Sequence, residues 1–318
     1  MQCSKVFVGR RLFVVGNINR DIKIAPIKPG AYLLRDGETS TPSVVESIGG
    51  GGANSAVIAA HLGARAAFAG KVGRDALGRR LEEALAGWGV TPRLCKDARC
   101  RTGTSIALAF ANGQRHFVSS LPNNEALRFE DLDLSVLKPG SHLLRADIWF
   151  STPMLFGGNK RLLRRARETG LTVSIDLNWD PKWGVAPSAE IRRRKAAVRG
   201  ILPLVDLAHG NVRELNEFAE CRNLRETLKR LSNWGLRAVV VHRGAGGSGY
   251  YADGVFTTAP ALRARRVVNT TGTGDVLSVC MMLLHGCEDF PVRERLRLAN
   301  RIVTEFIEGK RVLLPPLE

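Results

Sequence analysis

Nowhere in the chain does an apolar run approach the ~20 residues that a membrane span requires. Met1 to Arg11 is polar and basic and lacks the apolar core of a secretory leader. The apolar run Leu12 to Val15 is only strand-sized, so a cytoplasmic protein with no membrane partner is expected. Cysteine is sparse: the six thiols, at 3, 95, 100, 221, 280 and 287, include no CxxC pair and no accompanying histidine pattern. That spacing argues against structural zinc and for reduced, mostly core thiols. Cys95 and Cys100 are close enough in sequence to pair, but a cytoplasmic setting argues against a bridge. Aromatics make up only 6% of the 318 residues while glycine reaches 33, a balance suited to an α/β fold with tight strand–helix junctions. No repeat, low-complexity segment or linker divides the chain, so a single domain over residues 1–318 is expected. Acidic residues are few, 30 against 47 Lys and Arg, leaving a formal charge of +17. This favours anionic partners. No zinc finger, basic zipper or aromatic-interleaved RNA motif accompanies the charge, so nucleic acid is not expected as a partner. The basic runs 160–167 and 192–195 read as solvated faces of amphipathic helices.

What is present centres on Asn269-Thr270-Thr271-Gly272-Thr273-Gly274-Asp275, followed by the apolar helical stretch Val276 to Leu284. Small and hydroxylated residues opening onto a helix N-terminus offer free N–H groups to an anion such as phosphate. A carboxylate in the same turn makes sense if Asp275 takes a proton from an attacking hydroxyl while the turn holds a transferring phosphoryl group. Read by itself, the stretch also fits a helix cap with a flexible loop.

A second glycine run, Gly49 to Gly52, leads through Ala53-Asn54 into another apolar helix. Between the two lie alternating strand and helix periods: Ala146–Ser151 with 159–168, Leu171–Asp176 with 188–198, and Leu204–Ala208 with 212–220. They predict a parallel sheet with crossover helices. Leu12 to Gly16 reads as a buried strand with Asn19 and Asp21 beyond its carboxyl end, where ligands bind in such sheets. Ser105–Phe110 and His116–Ser119 flank the hairpin signal Asn112-Gly113. Asp75 is placed to cap a helix running to Leu85. The tail ending in Pro315-Pro316 is expected to add no structure.

Taken together, the two glycine signatures, in this order and at this separation, resemble those of the ribokinase/PfkB family of carbohydrate kinases. The resemblance runs from Val14 to about Thr304. It implies a three-layer α/β fold with a mostly parallel sheet and a small β lid built from about 22–48 and 99–119. It implies ATP- and Mg²⁺-dependent phosphoryl transfer to a sugar hydroxyl, and a homodimer formed through the lid. Asp275 would be the base, with Gly272, Thr273 and Gly274 stabilising the transferring group. Asn19, Asp21, Gly50, Asn54 and Asn124 would hold the sugar. Asn211, Glu214, His242, Gly244, Gly247 and Asn300 would serve the nucleotide, with Glu214 acting on Mg²⁺ through water. Asn211 and Glu214 also fit a helix capping box. Gly51 stands where many relatives have Lys, and Asp180 where some have Arg, which weakens the case for an acidic sugar. Asn269 replaces an Asp that helps relatives to bind K⁺, so activity independent of K⁺ is expected. A nucleoside kinase, or a non-catalytic binding or regulatory protein of the same fold, is the alternative.

Overall fold

The pleat of one central strand, β1 (Arg11–Val15), sorts its side chains onto two cores. Leu12 and Val14 pack on one side, Phe13 and Val15 on the other, and all four are buried. A strand covered on both faces needs this unbroken apolar character. The computed structural model describes residues 6–112, 114–268, 271–287 and 289–317.

In it, β1, β4 (Arg65–Gly73), β5 (Val90–Asp97), β8 (His142–Arg145), β9 (Thr172–Asp176), β10 (Leu207–Asn211) and β11 (Ala238–His242) run parallel. The hairpin strands β12 (Ser248–Ala252) and β13 (Val255–Ala259) extend the sheet antiparallel. The strand order is β13-β12-β11-β10-β9-β8-β1-β4-β5. One core lies under α1 (Gly51–His61), α2 (Ala76–Gly87), α8 (Thr273–Leu283) and α9 (Val292–Ile307). The other lies under α4 (Asn159–Glu168), α5 (Ser188–Arg199), α6 (Val212–Ala219) and α7 (Leu224–Asn233). The result is the expected three-layer α/β architecture. A smaller sheet, order β3-β2-β6-β7, comprises β2 (Asn19–Ile27), β3 (Val44–Gly49), β6 (Thr104–Phe110) and β7 (Arg115–Ser120). A one-turn helix, α3 (Pro122–Glu125), follows it. Among the described residues no helix is long and apolar enough to cross a membrane.

Several local readings hold. Asp75 caps α2 by accepting from the Gly78 N–H at 2.8 Å. Strands β6 and β7 pair antiparallel around the hairpin, whose Gly113 lies outside the described residues, as do Asn269 and Thr270. Others are corrected. The strand expected at Ala146–Ser151 lies earlier, at His142–Arg145, and the chain then turns, with Asp147 at φ 52°. Polar His142 and Arg145 tolerate burial because they find partners: His142 bonds Thr172 and Ser174 hydroxyls, and Arg145 Nε donates to Asn159. Likewise the strand expected at Leu204–Ala208 occupies Leu207–Asn211.

The run 192–195 is not all solvated. Arg194 is buried against Asp180, and Lys195 reaches Glu217 and Glu220. The tail is ordered too. Leu313 and Leu317 are buried, the Leu317 N–H donates to the Glu46 carbonyl, and Pro316 bridges to Ser47 of β3.

Candidate active site

The carboxyl ends of the parallel strands open into two adjoining cavities, of about 720 and about 430 Å³. Crossover topology leaves the strand ends free for short loops, which is where ligands settle in such sheets. Asn211, His242 and Gly274 line both cavities and so mark their junction.

Helix α8 begins at that junction. Gly272, its N-cap, sits at φ 84°, a left-handed conformation that favours glycine, and Leu314 Cδ1 lies close against it. The turn aims the first N–H groups of α8 toward the cavities, and Thr273 and Gly274 form part of the wall. Asp275 follows in the first turn and faces the larger cavity. Burial pushes its carboxyl well above the ordinary value, the charges of Asp176, Asp147 and Glu214 push it further, and the Asn54 amide opposes them.

At the far end of the larger cavity, β2 presents Asn19 and Asp21. The Asn19 amide donates to the Asp21 carboxylate at 2.7 Å and fixes its orientation. Burial raises Asp21 to about 6 against the lowering effects of Lys23 and Asn19. Gly50 and Asn54 complete this end, and the Asn54 Oδ1 is buried without a protein partner. Gly50 sits at φ 93°, and a Cβ there would lie 2.3 Å from the Asn17 carbonyl.

Asn124 does not join them. It is buried away from the cavity, where its Oδ1 accepts from the Ile18 N–H at 3.0 Å and so shapes the loop after β1.

The smaller cavity gathers the remaining expected residues except Glu214, with Arg243 in its wall. Asn211 and Glu214 form a reciprocal capping box, 2.9 and 2.7 Å, and both line the larger cavity. Burial and the Asp176 charge raise Glu214 to about 7. His242 bonds the Ser278 hydroxyl of α8 at 2.9 Å, and burial lowers it to about 3, so it is neutral. Gly244 and Gly247 line the smaller cavity, where a Cβ on Gly247 would strike the Ala259 carbonyl. Asn300 is there too, but its amide is spent holding Ala259, Pro260 and Ser248, so it braces the wall.

Sequence reading missed Asp147, Phe150, Asp176, Asn178 and Trp179, all of which line the larger cavity. Asp147 accepts from the N–H groups of Asn17, Gly51 and Gly52 at 2.9, 3.2 and 2.8 Å, tying the loop after β1 to the start of α1. Its signal was its place just beyond a strand end, hidden once the strand was set too late. Asp176 and Asn178 carried that signal openly.

The sequence profile of the pfkB carbohydrate kinase family matches residues 10–300. The chain belongs to this family. It is 27% identical over 272 residues to fructokinase-1 of Oryza sativa subsp. japonica, covering 84% of this chain and 81% of that one. It is 28% identical over 248 residues to a fructokinase of Vibrio alginolyticus, covering 76% and 77%. A solved structure described as a putative ribokinase II from E. coli in complex with ATP and Mg²⁺ superposes with a TM-score of 0.77, at 20% identity, over 94% of this chain and 93% of that one. At that identity the likeness establishes the ribokinase-like fold. The pfkB motifs of this chain, Gly49–Asn54 and Gly272–Asp275, are the segments that meet at the paired cavities.

Proposed function

We propose that this pfkB carbohydrate kinase transfers the γ-phosphoryl group of ATP to a hydroxyl of a sugar-like acceptor held in the larger cavity. The observation that carries the reading is the position of Asp275: half-buried in the first turn of α8, where the two cavities meet. The acceptor hydroxyl would give its proton to Asp275 as its oxygen attacks the γ-phosphorus. The N–H groups of Gly272, Thr273 and Gly274 would stabilise charge on the transferring group. Asn19, Asp21, Gly50 and Asn54 would grip the acceptor hydroxyls, Asp21 accepting from two of them. The smaller cavity, with Arg243 and its glycine turn, would take the nucleotide.

No trio of His, Cys, Asp or Glu among the described residues is grouped to hold a metal directly. The Glu214 carboxylate accepts from the backbone N–H groups of Asn211 and Trp179. Its side toward the cavity fits Mg²⁺ through water, since this ion keeps several of its waters. When bound, Mg²⁺ supplies charge neutralisation on the phosphates.

We further propose one kinase unit in which the small sheet, chiefly 19–49 and 104–120, is the lid. A second copy would pair through it, covering the exposed Val44, Val45 and Val118. The free thiols suit a cytoplasmic setting. A second reading, a nucleoside acceptor, is favoured by the rings of Phe117, Phe150 and Trp179 in the acceptor cavity. Acceptor-dependent ADP production, measured across neutral sugars, amino sugars and nucleosides, tests the reading. Turnover with a sugar supports it, turnover with nucleosides alone selects the second reading, and no turnover with any acceptor contradicts both.

A further inference from the structure

The basic run 192–195 is one stretch in the sequence, and the fold gives its members different tasks. Arg194 is buried against Asp180, Lys195 reaches Glu217 and Glu220, and the Arg193 guanidinium lies over the Phe156 ring at 4.2 Å. Arg192 makes no hydrogen bond or ion pair among the described residues. Arg199, two turns further along the same face of α5, has no carboxylate partner among them either.

These two arginines border a hollow of about 250 Å³, where α5 meets the ends of α6 and α7. None of its lining residues lines either cavity of the candidate active site. Phe218 and Trp234, edge to face at 5.7 Å, give it an aromatic wall. The Arg199 guanidinium stands 5.5 Å from the centre of the Trp234 ring. Stacking uses the face of a guanidinium and leaves its in-plane N–H groups free, a fork that matches two oxygens of a phosphate. Lys195 is already spent. Its ammonium donates to the Glu217 carbonyl and carboxylate and to Glu220, at 2.6, 3.0 and 3.3 Å, and lies over the Trp183 ring at 5.3 Å. The same contact occupies Glu220, the one carboxylate in the wall. What is left unmatched is the pair Arg192 and Arg199.

We propose that this hollow is a second ligand site, for a small phosphate monoester. The phosphate lies between Arg192 and Arg199, and the carbon skeleton rests against Trp234 and Phe218. Two guanidinium groups suit the two charges of a phosphate monoester, and such charge-assisted, bidentate hydrogen bonds are the stronger kind. The rings favour an ester over a bare inorganic ion, because they give its skeleton apolar contact. At about 250 Å³ the hollow falls below the ~300–1,000 Å³ of pockets for drug-sized ligands, so it suits a sugar phosphate or a smaller ester rather than a nucleotide. The site stands on these groups alone and is independent of the kinase reading.

The test is calorimetry and tryptophan emission on the full chain, with ADP and Mg²⁺ in excess to fill the nucleotide cavity. The probes are D-glucose 6-phosphate, D-fructose 1-phosphate and glycerol 3-phosphate, against inorganic phosphate and the parent sugars. At least one ester is expected to bind saturably and several-fold more tightly than inorganic phosphate, with no binding of its parent under the same conditions. Its emission change should vanish in Trp234→Phe while the calorimetric signal persists. Arg192→Gln and Arg199→Gln should each weaken that ester by about tenfold or more, the range of a hydrogen bond to a charged group, with the unfolding midpoint unchanged. Binding left intact in both arginine variants places the ester elsewhere and overturns the site. Inorganic phosphate binding as tightly as every ester overturns the assignment of the rings to a carbon skeleton. Absence of saturable binding by all three esters overturns the proposal outright.

Discussion

Asp275 must be ionised to accept a proton, yet its surroundings favour the protonated form: burial first, then the charges of Asp176, Asp147 and Glu214. Turnover should therefore fall as pH drops through the raised Asp275 value. Removing one neighbouring negative charge must lower that value, because the ionised form is then opposed by one charge fewer. Asp176→Asn is expected to move the acid limb of the pH–kcat profile to lower pH, whatever it does to acceptor affinity. An unmoved limb, or one displaced to higher pH, would remove Asp176 from the electrostatics of the base. Mutual repulsion among carboxylates explains why a residue of this kind is found at its end of the cavity only when the partners are seen together. Asp275 announced itself by its glycine-rich turn, whereas Asp147 had no local pattern and depended on where β8 ends.

At the scale of elements, the site is held by joints that join distant segments. The loop after β9 is pinned to α5 by Asp180 and Arg194, which pair at 2.7 Å with both side chains almost wholly buried. Asp180→Asn should destabilise the protein by roughly 3–5 kcal/mol, because it leaves a buried guanidinium without its counter-charge. A urea midpoint within error of the parent would contradict this. The tail is a second joint. Leu317 and Pro316 meet β3, Arg80 ties the Leu317 carbonyl to Glu46, and Leu314 lies under Gly272. Deleting residues 312–318 removes the buried Leu313 and Leu317 and should cost about 3 kcal/mol or more. Because Leu314 buttresses the anion turn, kcat should also fall in conditions where the truncated chain is still folded. Full kcat in a folded truncation would show the tail to be a passive cover.

Helix α4 and the cap of α2 were legible because apolar period and capping chemistry are local. The tail and β8 were not. Leu313 and Leu317 read as apolar residues in a proline-containing end, and only the waiting edge of β3 makes them structural. His142 and Arg145 look wrong for a buried strand until Thr172, Ser174 and Asn159 supply their partners.

For the whole molecule, the charge of +17 is the feature the proposed chemistry uses least. The pairs of Arg194 with Asp180, Lys195 with Glu217 and Glu220, Arg311 with Glu305 and Lys310 with Glu308 involve acids already counted in that sum, so they leave the excess unchanged. The excess lies outside the larger cavity, whose wall holds carboxylates and, among the described residues, no lysine or arginine. Binding to nucleic acid is therefore expected to be weak, independent of sequence, and lost steeply with salt as counterions are released. Tight, sequence-dependent binding of a duplex at physiological salt would contradict that. The two-cavity layout, with the proposed sugar end on β2 and α1 and the proposed nucleotide end on β11 and α9, was legible in outline from two glycine motifs. The acidity of the larger cavity was not, since it arises from carboxylates on β2, β9, α6, α8 and the loop after β8 brought side by side.

The account stands or falls on Asp275 as the proton acceptor at the junction of the cavities. The most direct measurement is single-turnover phosphoryl transfer in Asp275→Asn, with nucleotide binding followed in the same protein. The substitution keeps size and shape and removes the basicity. The expected result is an unchanged unfolding midpoint or a higher one, nucleotide affinity close to the parent, and transfer slowed by at least ~10²-fold. Transfer at the parent rate in a folded, nucleotide-binding Asp275→Asn protein would contradict the central claim.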